Sequence, residues 1–583
     1  MHKPIFIIRH LFICFILIEL TSGCVDTHTD YSNIDKNIKV MVNDLKFNFG
    51  TTEKIMLRDL IKVDGSLQSD ANHLYNIVNT GERNFSFQIE PFVVQKINQH
   101  IIIPTNLWQI YLNSMTMQRT RAFATTTDFV PFTAESNIKL FINWKEGIKA
   151  IERIELQNTN IELNYSLTGT DAQNFVIVGM KDMQITLPSF FKSGQLGAGN
   201  ILKVPDANWE QGVRTVPLGK MTMDAVEFDK ALTNGSQPEG TFAIQGKVKI
   251  AMLQNNVLPS TSPDLKSEVE MMVNGNSGSN PEVTSARGVF THSVNCMPFS
   301  FDIRKEFPDC LNPDSMHLTP TNVTMRLNVD MTQVPVGIVM QNASISAENK
   351  SVNLLQEPVT WDKGKENIVY LYQGDTPYDT TPIAATAIRS KMNSFDQLLE
   401  HVPDSLTVNF AENDVSLKEE TTTVDFGKNY EAKIDYTFFL PFSFHEGFQL
   451  YYHNLSSPID WNMKDWQADK VVMEINATAE STIPLGINLK FEALDKDGNV
   501  LPVTLDVSHI KAAENEMPTE TAISVKSNPV SNDVLRNIAR IGYIVKAAAE
   551  SNNSNLRSNQ YLQIKDAKVQ ISGEAIIDLN NNK

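Results

Sequence analysis

Cysteine is scarce in this chain, with 4 in 583 residues. That excludes a disulfide-dense scaffold and a run of zinc modules that each use four cysteines. Positive charge is short as well: 50 Lys and Arg stand against 68 Asp and Glu, for a formal charge of −18. A chain this acidic repels phosphate backbones, so no nucleic acid is expected as a partner. The same charge opposes tight adhesion of the protein surface to anionic headgroups. Long apolar runs are missing too. Residues 11–18 form a short one, and Glu19 ends it well before the ~20 residues a membrane-spanning helix needs.

Catalytic signatures are equally sparse. There is no HExxH, no Cys/His cluster with zinc spacing, no Gly-x-Ser-x-Gly elbow and no Walker loop. No catalytic residue, metal or cofactor is therefore expected. The histidines are scattered; His445 and His453 are the nearest pair, with Glu446 beside the first. Asp495, Asp497 and Asn499 alternate as calcium ligands do. However, Val500 and Asp506 fall where a calcium loop needs Gly and Glu, so the segment reads as a plain turn. The Gly-x-Gly in residues 193–200 lacks the strand before it and the helix after it, and reads as a loop.

What is present begins at the amino terminus. Lys3 and Arg9 precede the apolar run, and Leu20-Thr21-Ser22-Gly23-Cys24 follows it. This order describes a secretory signal. The last residues resemble a bacterial lipobox, with Thr21 where that motif usually has Leu and Leu20 one place further out. The resemblance implies cleavage after Gly23 and acylation of Cys24, which would anchor the chain to a lipid bilayer. Of the other cysteines, Cys14 leaves with the signal. Cys296 and Cys310 are a candidate disulfide pair in an exported chain, with two separate buried thiols as the alternative. Closing a loop of about 15 residues would stabilise the fold by roughly 3 kcal/mol in the chain-entropy model.

Beyond the signal the sequence reads as strands. KVMVNDLKFNF and FSFQIEPFVV alternate apolar with polar residues. IKLFINW, IERIEL, IELNYSL, FVIVG, MQITLP and FAIQGKVKIAM are short, β-branched or aromatic, and bounded by Gly, Asn, Asp or Pro. The expected fold is mostly β: several antiparallel, Ig-like β-sandwich domains in tandem with a few short helices. Breaks in the pattern suggest a signal at 1–23, a tether at 24–35 and an N-terminal β-domain at 36–133. A second β-domain follows at 134–275, a third at 276–373, and a C-terminal β-sandwich region at 374–583. NGNSGSN at 274–280 is either a boundary or a hairpin tip. One helix is expected from Ser394, as cap, to Pro403, and a second over 533–540.

Two segments repeat. Met325-Arg326-Leu327-Asn328 precedes Pro335-Val336-Gly337-Ile338, and Met473-Glu474-Ile475-Asn476 precedes Pro484-Leu485-Gly486-Ile487. Strand, Asn, spacer, Pro-apolar-Gly-Ile and strand recur in order, with Pro at a strand start and Gly permitting a bend. The amino terminus, the FPDCL and VPDSL segments and IPLGINLKFEALDKDGN together resemble large multi-domain surface lipoproteins of the Bacteroidota. The resemblance implies location and architecture and carries over no site. A looser resemblance is to the glycan-binding lipoproteins of starch utilisation.

Trp461 and Trp466 are the candidate glycan platform, since flat indoles suit the apolar faces of sugars; core packing is the alternative. Trp108 and Trp361 are lesser candidates. Asp379-Thr380-Thr381 and Asp404-Ser405-Leu406 resemble the short O-glycosylation acceptor of the Bacteroidota. The expected function is that of a non-enzymatic, exported, outer-membrane or cell-surface lipoprotein with a structural or binding role. Its partners would be the bilayer through Cys24 and a glycan or other surface proteins. A glycan-binding lipoprotein of a polysaccharide-utilisation system and a glycan-active hydrolase are the alternatives. Paired carboxylates from distant segments cannot be read from one sequence.

Overall fold

A computed structural model describes residues 37–63, 65–104, 128–253, 264–307, 316–455, 467–507, 509–514, 517–551 and 554–578. The chain is mostly β, built of many antiparallel sheets with a few short helices. Among the described residues no helix is long and apolar enough to cross a membrane.

The sheets fall into three units, and each is assembled in the same way. In the terminal unit, Asn37–Gly50 pairs Tyr561–Asp578, which pairs Gln467–Ser481, which pairs Thr519–Ser527. In the middle unit, Tyr75–Gln88 pairs Asn429–Pro441, then Thr324–Asp330, then Glu366–Tyr372. In the inner unit, Ile97–Ile103 pairs Lys266–Asn274, then Asn160–Thr168, then Thr215–Thr222. Each unit thus takes its first strand from residues 37–103 and completes itself later, the inner unit first and the terminal unit last. The chain climbs through three sheets and then comes back down through them.

Each of these sheets is covered by a second. In the middle unit Phe85 meets Trp361 of the facing sheet at 5.9 Å between ring centroids, and Phe301 stacks on Phe438 at 4.2 Å. In the inner unit Phe132 of Val130–Lys139 meets Tyr165 of Asn160–Thr168 at 5.5 Å. In the terminal unit Val471, Ala493, Val530 and Ile538 cluster between Gln467–Ser481 and Gly486–Leu494. Alternation explains the layering. Met325, Leu327 and Val329 are buried while Arg326 and Asn328 face the other way, so one side of the strand is driven out of water.

The repeat read from sequence has a structural meaning. In both copies the first strand lies inside the large sheet, at Thr324–Asp330 and Gln467–Ser481. The Pro-x-Gly segment then carries the chain to the covering sheet, at Ile338–Met340 and Gly486–Leu494. A third copy occupies the equivalent position at Asn160–Thr168, where Ile161-Glu162-Leu163-Asn164 opens the strand and a 3-10 turn at Ala172–Asn174 makes the crossing without proline.

Other expectations need correction. The stretch 36–133 does not form a sheet of its own: its long strands are distributed to three sheets, and pairing crosses the positions 133, 275 and 373. Burial of the apolar faces outweighs the entropic cost of closing long loops, which grows only slowly with loop length. The helix from Ser394 is a single 3-10 turn, Asp396–Leu398. Ser394 Oγ accepts the Asp396 amide at 3.3 Å, and Phe395, Leu398 and Leu399 are already buried by that one turn. The second helix is present as Asn532–Asn537. NGNSGSN links Lys266–Asn274 to Glu282–Phe290 of a different sheet, with Gly275 donating from its amide to Ser279 at 2.9 Å.

Candidate functional site

A buried set of engaged polar groups lies in the middle unit, beside the corner where it meets the terminal unit. Asp70 sits in the turn between Leu67–Ser69 and Tyr75–Gln88. One of its oxygens, Oδ1, accepts from the Asn72 and Leu74 amides, both at 2.8 Å; Oδ2 accepts from the Tyr378 hydroxyl at 3.0 Å. Tyr378 belongs to the turn-rich break after Tyr372, which crosses the outer face of the middle sheet. Its neighbour Asp379 has a side chain with no exposure, and its Oδ2 accepts from Arg326 Nη1 at 2.8 Å and from the Tyr370 hydroxyl at 2.7 Å. Its Oδ1 accepts from the Thr381 amide and hydroxyl at 2.9 and 3.0 Å. Arg326 and Tyr370 are cross-strand partners, so register alone brings them side by side on the outer face.

The electrostatics follow from this packing. Burial works to raise the Asp379 carboxyl, but the Tyr370 hydroxyl, the Thr381 amide and Arg326 outweigh it and hold it below the usual carboxylate range. Burial and the adjoining Asp379 push the Tyr370 phenol up to about 12. Burial and Asp70 raise Tyr378 as well. Asp379 accepts four donors and Asp70 three, all of them from the chain itself.

The same corner joins the units by backbone. Tyr75 donates its amide to Leu556 at 3.1 Å, Leu556 to Phe442 at 2.8 Å, and Phe442 to Tyr75 at 2.8 Å. Arg557 Nη1 donates to the Asn72 carbonyl at 2.7 Å, and Ser69 Oγ lies 3.1 Å from Ser558 Oγ. One triangle therefore holds the ascending strand, the descending strand and the loop into the last strand. In the sequence, residues 375–382 stand out only as a break, and Asp379-Thr380-Thr381 only as an acceptor-like motif. The tie is invisible there because Arg326 lies in one repeat strand and Asp70 is 308 residues from its partner tyrosine.

A second polar arrangement lies in the terminal unit. His509 Nδ1 is 3.0 Å from Asn488 Oδ1, and Nε2 is 2.7 Å from Glu550 Oε1. Both ring nitrogens thus lie within hydrogen-bond reach of a side-chain oxygen. Asp495 Oδ1 accepts from the Asp497 and Asn499 amides at 2.8 Å, and Gly498 takes φ +86°. The carboxyl, lowered chiefly by the Asn499 side chain, is consumed in closing the turn. Among the described residues no group of three or more His, Cys, Asp or Glu is placed to hold a metal ion.

Cys24, Cys310, Trp108, Trp461 and Trp466 lie outside the described residues. Trp361 is 1% exposed and packs against Phe85, so it is core. His445 is exposed at a turn and His453 pairs with Ile544 in another strand. Cys296 is a free, buried thiol, and burial pushes it up to about 12. Alkylation of the native protein at pH 8 should leave Cys296 unmodified, with full labelling on denaturation. Rapid native labelling at Cys296 would contradict this burial.

No protein-family model and no curated protein matches this chain. Among solved structures, one described as a candidate secreted protein from Parabacteroides distasonis is similar at 10% identity and a TM-score of 0.32. The match covers 49% of this chain and 89% of that one. A structure of T=1 particles derived from infectious bursal virus is similar at 9% identity and a TM-score of 0.12, over 91% and 86% of the two chains. Likenesses of this size carry no argument.

Proposed function

We propose that this chain is a non-enzymatic lipoprotein of the outer membrane or cell surface, exported by residues 1–23 and anchored through acylated Cys24, with a structural or binding role. The observation that carries the reading is the use made of its best-placed carboxylates. Asp70 and Asp379 fasten turns of the middle unit to its own sheet, and each carboxylate oxygen accepts from a donor of the chain itself. The lipobox-like segment supplies the compartment, and the acidic body leaves acyl chains as the membrane attachment.

Cys24→Ala tests it. The native protein should fractionate with membranes and partition into detergent, and the variant should become soluble and lose the mass of its acyl chains. A variant that stays in the membrane at unchanged mass would sink the anchor. Affinity electrophoresis on a polysaccharide panel addresses the role: clear retardation by one glycan would replace the structural reading with a glycan-binding one.

A further inference from the structure

We infer that the molecule stands away from the bilayer, with the Asn37–Asp578 pole of the terminal unit nearest the lipid and the inner unit's far end as the surface displayed to partners. This rests on the lipid anchor proposed above and adds a direction to it.

Strand polarity sets the direction. Asn37–Gly50 runs from Asn37, opposite Asp578, up to Gly50, opposite Ala567. Gly50 leads to Ile55–Met56, which pairs Tyr561 and Leu562, and Leu57 donates its amide to Gln560. Those residues adjoin the 556–558 corner that touches Ser69, Asn72 and Tyr75 of the middle unit. Asn37 and Asp578 are therefore at the end of the sheet opposite to the middle unit.

The middle unit repeats the polarity. Its ascending strand starts at Tyr75, at the terminal-unit corner, and ends at Gln88, opposite Asn429. There Gly427 donates to Ile89, and Phe92 meets Phe426 at 5.4 Å, next to Thr421–Asp425 in a sheet shared with the inner unit. Ile97 opens the inner unit opposite Val273, and Ile103 leaves it opposite Ser267. Among the described residues, Asp171 and Asp264 lie together at the far end. Asp171 donates its amide to the Asp264 carbonyl at 3.2 Å, and Asp264 donates back to Asp171 Oδ2 at 3.0 Å. Arg214 Nη2 donates to the Gln173 carbonyl beside them at 3.1 Å.

The lengths make the direction matter. The central strands of the three units have 18, 13 and 9 residues. At ~3.3 Å per residue they sum to on the order of 100 Å along the climb. From Cys24 to Asn37 there are 37 − 24 = 13 residues, a reach of at most ~45 Å. The tether can hold the Asn37 pole close to the lipid and cannot bring the inner tip down without tipping the whole body. The acidic character of the chain, −18 over the full sequence, opposes that tipping onto an anionic leaflet.

The test uses the acylated full chain in vesicles containing anionic lipid and a headgroup dye. In a background with Cys296→Ala and Cys310→Ala, one reporter is attached at Lys470→Cys, exposed near the pole, and another at Gln173→Cys, exposed at the tip. Energy transfer to the dye should be strong from position 470 and at least fivefold weaker from 173. Equal transfer from both, or a stronger signal from 173, would overturn the upright order while leaving the anchor intact. Flotation with the vesicles reads the anchor separately: a chain that does not float overturns both.

Discussion

Asp379→Ala should lower unfolding stability by about 3 kcal/mol, near the lower end of what removing one partner of a buried ion pair costs. The variant leaves the Arg326 guanidinium and the Tyr370 hydroxyl facing an emptied site, and releases Thr381 from both its contacts. Arg326 keeps some exposure, with a side chain 24% accessible, which holds the loss below the upper limit. Chemical denaturation of the two proteins under identical conditions measures it. The double variant Arg326→Met with Asp379→Leu should recover only the part of the loss due to the unpaired guanidinium, because the Tyr370 hydroxyl and the Thr381 amide still lack their acceptor. A single variant within about 0.5 kcal/mol of the parent, the size of an ordinary surface change, would mean that the pair holds nothing.

The pH dependence has a defined sign. The Asp379 pKa is lowered in the folded state. Its contribution is therefore fully present above the unfolded value, ~3.9, and is lost as pH falls through the folded value. Acidification below about pH 4 should narrow the gap between the parent and Asp379→Asn. A gap that widens on acidification would contradict this sign.

Fragment 374–583 should fail to fold, although it contains a continuous strand-rich third of the sequence. Asn429–Pro441 loses both neighbours, Tyr75–Gln88 and Thr324–Asp330. Tyr561–Asp578 loses Asn37–Gly50 on one side. Fragment 90–292 contains every strand of the two facing inner sheets and should melt cooperatively as a monomer. Joining residues 36–60 to 445–578 should likewise give a folded terminal unit. Circular dichroism and thermal melts decide among these. Cooperative unfolding of 374–583 by itself would show that the missing strands are dispensable, contrary to the burial and pairing described above.

The strands were legible because alternation is local. IELNYSL, FVIVG, FAIQGKVKIAM and KVQISGEAIIDL each show in a few residues which face is apolar, and each is a strand or part of one. The hairpin at Asp497-Gly498 was legible for the same reason, since a positive φ at glycine and an Asx turn are both written within five residues. The segment after Ser394 stops at one turn because capping residues also suit a lone turn, and burial of Phe395 and Leu399 requires no more. The Asp379 tie could not be read at all: its donors come from two neighbouring strands and its own turn.

The sequence by itself determined that this is an acidic, strand-built chain with a lipobox-like start, because charge, alternation and turn residues act over a few positions. It also showed two of the three repeat strands, whose Pro-x-Gly crossing is a local backbone requirement. Only the tertiary structure decided which strands pair. The backbone ladder is the same for any two antiparallel strands, so a neighbouring partner and one at the other end of the chain look alike until their apolar faces are buried against the same covering sheet. That choice turned a sequence of apparently tandem domains into three units threaded one inside another, with first and last strands closing at one pole.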